Sequence, residues 1–332
     1  MAGLARGRDR GRGVRLRGAL HVVVGAAAAL TLALAGTSAE ASPIGVESAQ
    51  AVAVVPPTAI TAEATALPVV PATTTPRVWI VRRITAGGVR QWIECAGHGP
   101  VTVVVIAGLH ADHRMWSLVL PSFAIATRTC IYDRPGLGSS PSRPRHGIVT
   151  AGQHANELWA LLQAAGERGP YIVVGHSYGG LVARTFAARH ITSVRGLMLI
   201  EGVGPNDQTS QYWGEGGDLV DIWRSKAQAA KLRLGSVRLV VEAAQDPNRS
   251  YWGGPSYDET SAELAQWRQH QLDASYLSTQ STYLVARHSA HVIEHDNPAA
   301  VIAGIRLLVR SIEKHTRLPR CSLGAYGSQP RC

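Results

Sequence analysis

The most constraining feature of this sequence is the segment 171–180, Tyr-Ile-Val-Val-Gly-His-Ser-Tyr-Gly-Gly, where an apolar run stops at a glycine and a serine follows two residues later. This G-x-S-x-G spacing is typical of a nucleophile elbow, a sharp strand-to-helix turn that exposes a serine hydroxyl. Gly175 and Gly179 lack a Cβ, so the strand and the helix can approach closely around Ser177. The alternative is an ordinary turn between a strand and a helix, because glycine and serine are common turn residues.

The N-terminus has the layout of a secretory signal peptide. Residues 1–17 carry six arginines and one aspartate, residues 18–36 carry no charge, and Ala39-Glu40-Ala41 is a small-x-small cleavage site. We therefore expect residues 1–41 to be a signal peptide and the protein to be secreted or associated with the cell envelope. The alternative is an uncleaved N-terminal anchor. Residues 42–77, rich in Ala, Pro, Thr and Val, are expected to form a flexible linker.

Charge and cysteine content limit the partners that this chain can have. The net charge is +10, of which residues 1–41 contribute +4, so the rest of the chain is only mildly basic at about +6. Without clusters of Lys and Arg among aromatic residues, we expect no nucleic-acid partner and only unspecific attraction to anionic surfaces. All four cysteines follow the signal segment, and none has metal-ligand spacing. An even number in an exported chain indicates two disulfides, with three possible pairings, and no metal site is expected.

From residue 78 onward, predicted strands and helices alternate. A hairpin around Gly87-Gly88 comes first, and continuous apolar runs typical of buried parallel strands follow. This order predicts an α/β protein with a mostly parallel sheet flanked by helices. The predicted strands are 78–84, 89–95, 101–106, 128–132, 171–174, 194–200, 237–241 and 283–286, and the predicted helices are 116–126, 150–165, 178–190, 261–277 and 298–314.

Five segments, in the same order, resemble the α/β-hydrolase fold family. They are Val-Val-Val-Ile-Ala-Gly-Leu-His (103–110), Tyr-Asp-Arg-Pro-Gly-Leu-Gly-Ser-Ser (132–140), the elbow (175–180), the segment ending in Asp246, and Ser-Ala-His-Val-Ile (289–293). In detail the chain resembles secreted hydrolases of actinobacterial type. The resemblance implies an α/β-hydrolase domain over 78–316, with an eight-stranded, mostly parallel sheet, a short cap at about 203–235 and a C-terminal tail at 317–332.

The same resemblance implies how the cysteines pair. Family topology places the second and fourth strands side by side, so Cys95 and Cys130 are expected to form one disulfide. Cys321 and Cys332 are then expected to form the other and to close a small loop in the tail.

A serine hydroxyl needs a base within hydrogen-bond reach, and that base needs an orienting acid. The family order is serine, acid, histidine. His291 matches the family's histidine, because it lies between small and apolar residues and is soon followed by Pro298. His288 and His295 are the less favoured alternatives for the base.

For the acid, Asp246 follows an apolar strand where the family commonly has Gly-x-x-Asp, and it is the expected residue. The structural alternative is that Asp246 only begins an Asp-Pro turn. The rival acid is Glu201, which follows the strand 194–200, where some family members carry theirs. Glu242, at the end of its own strand, is less favoured.

Backbone amides are expected to form the oxyanion hole, and the resemblance assigns them to Leu109 and Tyr178. The family's His-Gly-x motif is replaced here by Ala107-Gly108-Leu109, so a loop-ordering histidine is missing and His110 is a candidate substitute. Asp133 is expected to be structural, and His176 to pack near the site rather than to act as a base.

These residues predict a secreted serine hydrolase that cleaves small carboxylic esters through an acyl-enzyme and needs no cofactor. One alternative is a peptidase or amidase of the prolyl aminopeptidase type, which would need acidic residues in the cap, where Glu215, Asp218 and Asp221 lie. Another is a non-catalytic binding protein on the same fold. Three cap aromatics, Tyr212, Trp213 and Trp223, are expected either to line the substrate pocket or to attach the cap to the core.

Overall fold

A computed structural model describes residues 79–124, 127–205, 207, 210–246, 261–319 and 328–330. The expected signal peptide (1–41), the expected linker (42–77) and both cysteines of the predicted Cys321–Cys332 disulfide lie outside the described residues. None of the described helices has the length and apolar character needed to cross a bilayer.

Within the described residues, twelve strands form a large sheet and a small one. In chain order they are β1 (Ile80–Ala86), β2 (Val89–Ala96), β3 (Thr102–Ile106), β4 (Arg128–Tyr132), β5 (Ile148–Val149), β6 (Tyr171–His176), β7 (Val194–Ile200), β8 (Tyr212–Glu215), β9 (Asp218–Asp221), β10 (Arg238–Ala244), β11 (Ser281–Ala286) and β12 (Ser328–Pro330). The large sheet has the order β1-β2-β4-β3-β6-β7-β10-β11-β12, and the small one β5-β9-β8.

The large sheet confirms the predicted fold class. Every pairing from β4 to β11 is parallel, whereas β1, β2 and β12 pair antiparallel at the two edges. Strands β1 to β11 of this sheet are the eight expected strands. The ninth strand, β12, lies in the segment expected to be a tail and pairs with β11.

Helices cover both faces of the sheet. In chain order they are α1 (Leu120–Phe123), α2 (Ala151–Ala165), α3 (Tyr178–Arg189), α4 (Ile222–Ala229), α5 (Ser261–Ala274), α6 (Ile293–Asp296) and α7 (Pro298–Glu313), with short 3-10 turns at His113–Trp116, Ile191–Ser193 and Ser275–Leu277. Side chains of α2 and α3 fill one core, and those of α1 and α7 fill the other. Because the inner strands are buried on both faces, their sequences are continuous apolar runs.

Local sequence signals set the ends of the helices. The Thr150 hydroxyl accepts a hydrogen bond from the Gln153 amide at the start of α2, and Gly166 ends that helix in the left-handed conformation. The predicted helix at 116–126 is only partly present, and residues 125–126 lie outside the described part of the chain. A 3-10 turn ends at Trp116, and only the single turn α1 follows, where Pro121 supplies no N–H for a continuous helix.

The segment expected to be the cap contains the hairpin β8–β9 and helix α4, and β5 joins the hairpin to form the small sheet. Two acidic residues flank the hairpin turn, and each meets an arginine of the loop after β4. Glu215 pairs with Arg134 at 2.6 Å, and Asp218 pairs with Arg143 at 2.6 Å. Arg143 also pairs with Glu157 of α2 at 2.5 Å. These buried ion pairs attach the hairpin to the main domain.

The structure contains the expected Cys95–Cys130 disulfide. The two residues face each other in the antiparallel pair β2–β4, with their Cα atoms 4.1 Å apart. The bond therefore joins the edge hairpin to the parallel part of the sheet, across 35 residues of chain.

Replacing both cysteines, as Cys95→Ala with Cys130→Ala, should lower the free energy of unfolding by about 3–4 kcal/mol, because the unfolded chain loses a cross-link that closes a loop of this size. Urea denaturation of the oxidised protein and the double variant measures the difference. A loss below about 1 kcal/mol would show that the disulfide contributes little to stability.

Candidate active site

Ser177 stands on the turn between β6 and α3 in a strained backbone conformation, with φ 52° and ψ −121°. Its backbone amide donates to the carbonyl of Ile200, and its own carbonyl accepts from the amide of Val203. A Cβ on Gly175 would overlap the backbone of Gly179, at less than 3.0 Å. These contacts hold the turn, and the serine side chain stays half-buried at the end of the strand. The residue has the geometry of an elbow nucleophile.

His291 lies in the loop between β11 and α6, and its side chain is 37% exposed. Its Nδ1 atom is 3.3 Å from Oε2 of Glu201. The rings of His291 and His176, the residue before Ser177, have their centroids 4.9 Å apart. The loop that carries His291 therefore lies beside the elbow, as the sequence predicts.

The carboxylate that meets His291 is completely buried and well supplied with donors. Oε1 of Glu201 accepts from the Ala244 amide at 2.8 Å, and Oε2 accepts from the indole N–H of Trp267 at 2.9 Å. Glu201 follows β7 with a left-handed φ of 44°. Strain of this kind costs about 1–3 kcal/mol and persists where the surrounding contacts compensate for it.

The structure thus pairs His291 with the alternative acid, Glu201, and not with the expected Asp246. The Asp246 side chain is exposed to solvent, although its backbone amide donates to the Ser289 carbonyl and so lies near the histidine loop. The position facing His291 Nδ1 is already filled by the longer Glu201 side chain, which enters from the neighbouring strand. A buried, hydrogen-bonded carboxylate is better suited to orient an imidazole than an exposed one.

Of the other candidates named from the sequence, His288 is exposed, and its amide donates to the side chain of Gln245. The ring of His295 is half-exposed and lies 3.5 Å from Asp296. Asp133 has the expected structural function, because its carboxylate accepts from the backbone amides of His113 and Ser139.

The loop after β3 lies against the elbow. A Cβ on Gly108 would come 3.4 Å from Cβ of Ser177 and 2.9 Å from the ring of His176. The guanidinium of Arg134 binds this loop by donating to the carbonyls of Ala107 at 2.6 Å and Gly108 at 2.5 Å. In a trans peptide the C=O and N–H point in opposite directions. The Leu109 amide therefore points away from Arg134.

Arg134 is the centre of a buried network that sequence analysis missed. Its guanidinium forms two hydrogen bonds with Glu215, and both side chains are only 2% exposed. Glu215 also accepts from the backbone amide of His110, so it holds the same loop from the other end. The guanidinium lies 5.3 Å from the ring centre of Tyr178, the residue after the elbow serine. Only the Asp-Arg-Pro-Gly turn pointed to this arginine, and its partner is 81 residues away.

Electrostatics keep this network ionised. Burial alone would raise the pKa of Glu215, but the Arg134 guanidinium reverses this and lowers it. Next to it, burial lowers the pKa of His154 to about 3, so its ring is neutral where Nδ1 meets the Tyr178 hydroxyl at 2.9 Å. The side chain of Tyr178, the residue after the elbow serine, thus lies between the Arg134 guanidinium and the neutral ring of His154.

Two groups of described residues have donor atoms close enough together to hold a metal ion. In the first, Cys95 and Cys130 are joined as a disulfide. In the second, Asp112 binds Arg114 and Asp133 binds its own loop, so the carboxylates already have partners. Both groups are explained as structural contacts.

Taken together, a strained serine, an imidazole and a buried carboxylate lie at the ends of three strands, with the loop after β3 on the other side of the serine. This arrangement can deliver a serine alkoxide to a carbonyl and stabilise the oxyanion that forms.

Comparisons with known proteins agree with this fold. The sequence model of a family described as alpha/beta hydrolase fold matches residues 101–240. The uncharacterized protein YqjL of Bacillus subtilis is 27% identical over 220 residues, which cover 62% of this chain and 82% of YqjL. The pimeloyl-[acyl-carrier protein] methyl ester esterase of Chromobacterium violaceum is 37% identical over 125 residues, or 37% of this chain and 44% of that enzyme.

Among solved structures, a thermophilic esterase from Thermogutta terrifontis superposes with a TM-score of 0.53 at 19% identity, over 71% of this chain and 99% of that one. The chain therefore has the α/β-hydrolase fold. Its fold and its relatives support a hydrolase activity.

The variant Glu215→Gln should lower the free energy of unfolding by about 3–5 kcal/mol, because Arg134 would remain buried without its counter-ion. Urea denaturation measures this at neutral pH. The control is Glu313→Gln, an exposed carboxylate at the end of α7, which should change stability by less than about 0.5 kcal/mol. Equal effects of the two substitutions would contradict the importance of the Arg134–Glu215 pair.

Proposed function

We propose that this chain is a serine hydrolase that cleaves carboxylic esters, with Ser177 as nucleophile, His291 as base and Glu201 as the orienting acid. The single observation that carries the proposal is the contact of His291 with the buried Glu201 carboxylate, on a loop that lies beside the strained Ser177. Three chemically matched groups at one edge of the sheet are the constellation that acyl transfer through serine requires.

In the proposed reaction, Nε2 of His291 takes the proton of the Ser177 hydroxyl as its oxygen attacks the ester carbonyl. Glu201 accepts a hydrogen bond from Nδ1, which leaves Nε2 free to act as base and stabilises the imidazolium that forms. The imidazolium then protonates the leaving alcohol, and an acyl-enzyme remains. Water, deprotonated by the same imidazole, attacks the acyl group and releases the acid and Ser177.

The oxyanion is proposed to bind the backbone amides of Leu109 and Tyr178. Arg134 supports the Leu109 donor, since it binds the carbonyl of the Gly108–Leu109 peptide, and it also lies 5.3 Å from the ring centre of Tyr178. A carbonyl that accepts from a guanidinium polarises its peptide, which strengthens the N–H on the opposite side. Each such donor contributes about 2.7–4 kcal/mol of transition-state stabilisation.

The cap favours an ester over a peptide substrate. A peptidase of the aminopeptidase type needs free acidic groups to bind the substrate's amine. The cap acids are already engaged, because Glu215 and Asp218 pair with buried arginines, Asp221 caps α4, and Asp207 contacts His270. The relative from Chromobacterium violaceum, named as a methyl ester esterase, supports the same choice.

An exported location is part of the proposal. The arginine-rich start, the uncharged stretch and the small-x-small site support a signal peptide. The disulfide between Cys95 and Cys130 supports it independently, because such bonds persist in oxidising compartments. The protein is thus proposed to be secreted or to remain at the cell envelope.

The choice of acid is tested by two matched substitutions. Glu201→Gln should lower kcat for a p-nitrophenyl ester by about 10⁴-fold, because the amide no longer stabilises the imidazolium or fixes its tautomer. Asp246→Asn, which removes a carboxylate from the neighbouring exposed position, should leave kcat within a factor of about three, or 0.65 kcal/mol. The reverse pattern would identify Asp246 as the orienting acid.

The substrate class is tested by comparing p-nitrophenyl esters of increasing acyl length with an aminoacyl p-nitroanilide. The esters should be hydrolysed with a kcat/KM at least about 10²-fold higher, since the described carboxylates of the cap are all engaged and do not offer a site for the amine. Faster cleavage of the anilide, lost in Ser177→Ala, would favour the peptidase alternative.

A further inference from the structure

His176 is a buried histidine that the proposed reaction does not use. It is the variable residue of the elbow, and both of its ring nitrogens face oxygen acceptors. Nε2 lies 2.8 Å from the backbone carbonyl of His291, and Nδ1 lies 2.9 Å from Oε1 of Glu294. A carbonyl oxygen only accepts, so Nε2 must carry a proton and donate it. The second nitrogen faces a carboxylate, which also accepts.

Glu294 is the first acidic residue after His291, and its side chain is completely buried in α6. Within the described part of the chain, neither of its oxygens has a well-aligned hydrogen-bond partner. The attraction of His176 at 2.9 Å is therefore the interaction that offsets the cost of burying this carboxylate.

Among the described residues, three charged or titratable groups face the His176 ring: Glu294 from α6, Glu201 from the end of β7, and His291 from the loop after β11. Burial alone would lower the pKa of His176. The carboxylate of Glu294 reverses this and, with the His291 carbonyl and Glu201, raises the pKa above its ordinary value. The raised pKa favours the imidazolium, whose Nε2 donates to the His291 carbonyl while Nδ1 lies in ion-pair contact with Glu294.

The position of the ring connects three segments of the site. His176 belongs to the elbow, its Nε2 holds the loop of His291, and its Nδ1 edge lies against Gly108, where a Cβ would come within 2.9 Å. An alanine at 108 would thus push against this ring. One buried side chain therefore fixes the relative positions of the elbow, the histidine loop and the loop after β3.

We propose that His176 and Glu294 form a positioning pair, in which a buried imidazolium clamps the backbone of His291 beside Ser177. This inference rests on the proposed function, because it assigns a purpose to the position of His291. The pair contacts no substrate. It acts by limiting the movement of the base, and a base displaced by about 1 Å can cost about 10²-fold in rate.

The pair has a defined pH dependence. The pKa of His176 is raised in the folded protein, so the imidazolium and its stabilising effect are present at low pH and are lost as pH rises through that folded pKa. The neutral ring keeps only one N–H. It then faces either the His291 carbonyl or Glu294 with a lone pair, so the clamp loosens on the alkaline side.

The experiment uses two matched pairs of variants in the full chain. His176→Phe keeps a ring of similar size but no donor, whereas His176→Gln keeps a terminal N–H near the Nε2 position. Glu294→Leu removes the counter-ion, whereas Glu294→Gln retains a polar partner for Nδ1 without charge. The measurements are kcat and KM for a p-nitrophenyl ester across pH, with urea denaturation as the control for folding.

His176→Phe and Glu294→Leu should lower kcat by about 10- to 100-fold with KM within about threefold, and His176→Gln should restore at least a third of the wild-type kcat. Glu294→Gln should keep most activity and lose the alkaline decline of kcat that we expect for the wild type, because the ring is then neutral throughout. An unchanged kcat in folded His176→Phe, or an alkaline decline that persists in Glu294→Gln, would overturn the positioning pair.

A measurement without catalysis separates this inference from the proposed function. In Ser177→Ala labelled with ¹⁵N-histidine, nuclear magnetic resonance should show His176 protonated on both nitrogens at neutral pH, and neutral in the Glu294→Gln background. A neutral His176 with Glu294 intact would contradict the pair even if the enzyme is active. Absence of ester hydrolysis, with the imidazolium present, would instead contradict the proposed function.

Discussion

The close backbone approach at the elbow is the constraint on which the rest of the site depends. A Cβ at Gly179 would overlap the carbonyls of Ile106 and Ala107, and a Cβ at Gly175 would overlap Gly179 itself, in each case at less than 3.0 Å. Only glycine at both positions allows α3 to begin directly against the ends of β3 and β6. Ser177 is then forced into its left-handed φ, and the backbone bonds to Ile200 and Val203 hold it there.

The parallel sheet brings the remaining groups to the same place. Ser177 follows β6, Glu201 follows β7 and His291 follows β11, so their positions are set by the carboxyl ends of strands in one sheet. Glu201 and Ser177 both have a positive φ. They lie close together, because the Ser177 amide donates to the carbonyl of Ile200, the residue before Glu201. Backbone strain is thus concentrated where the proposed chemistry takes place, and buried hydrogen bonds to the Glu201 carboxylate compensate for it.

Much of this arrangement is predictable from the sequence, and the part that is not has physical reasons. Apolar runs and the Gly-x-Ser-x-Gly spacing predict the parallel sheet and the elbow, because both depend on local residue order. The acid is different, since Glu201 and Asp246 both follow buried strands. The choice depends on which side chain reaches His291 Nδ1, and that is decided by the turn after β7 and by the indole of Trp267. The order of residues in the sequence shows neither the conformation of this turn nor the contact with Trp267.

The same limit explains why the supporting charges were missed. Arg134 and Glu215 are 81 residues apart, and His176 and Glu294 are also distant in the chain, so only the folded protein shows them as pairs. Both pairs are buried beside the elbow, one behind the loop after β3 and one beneath the histidine loop. In the proposed mechanism, one pair fixes the loop that carries an oxyanion donor, and the other fixes the loop that carries the base.

Covalent labelling measures directly whether Ser177 is an activated nucleophile, as proposed. The folded protein is treated with a fluorophosphonate probe, digested, and its modified peptide is located by mass spectrometry. We expect one adduct, on Ser177, which is absent from Ser177→Ala and forms much more slowly in Glu201→Gln. A folded wild-type protein that takes up no probe, or an adduct that survives in Ser177→Ala, would contradict this expectation.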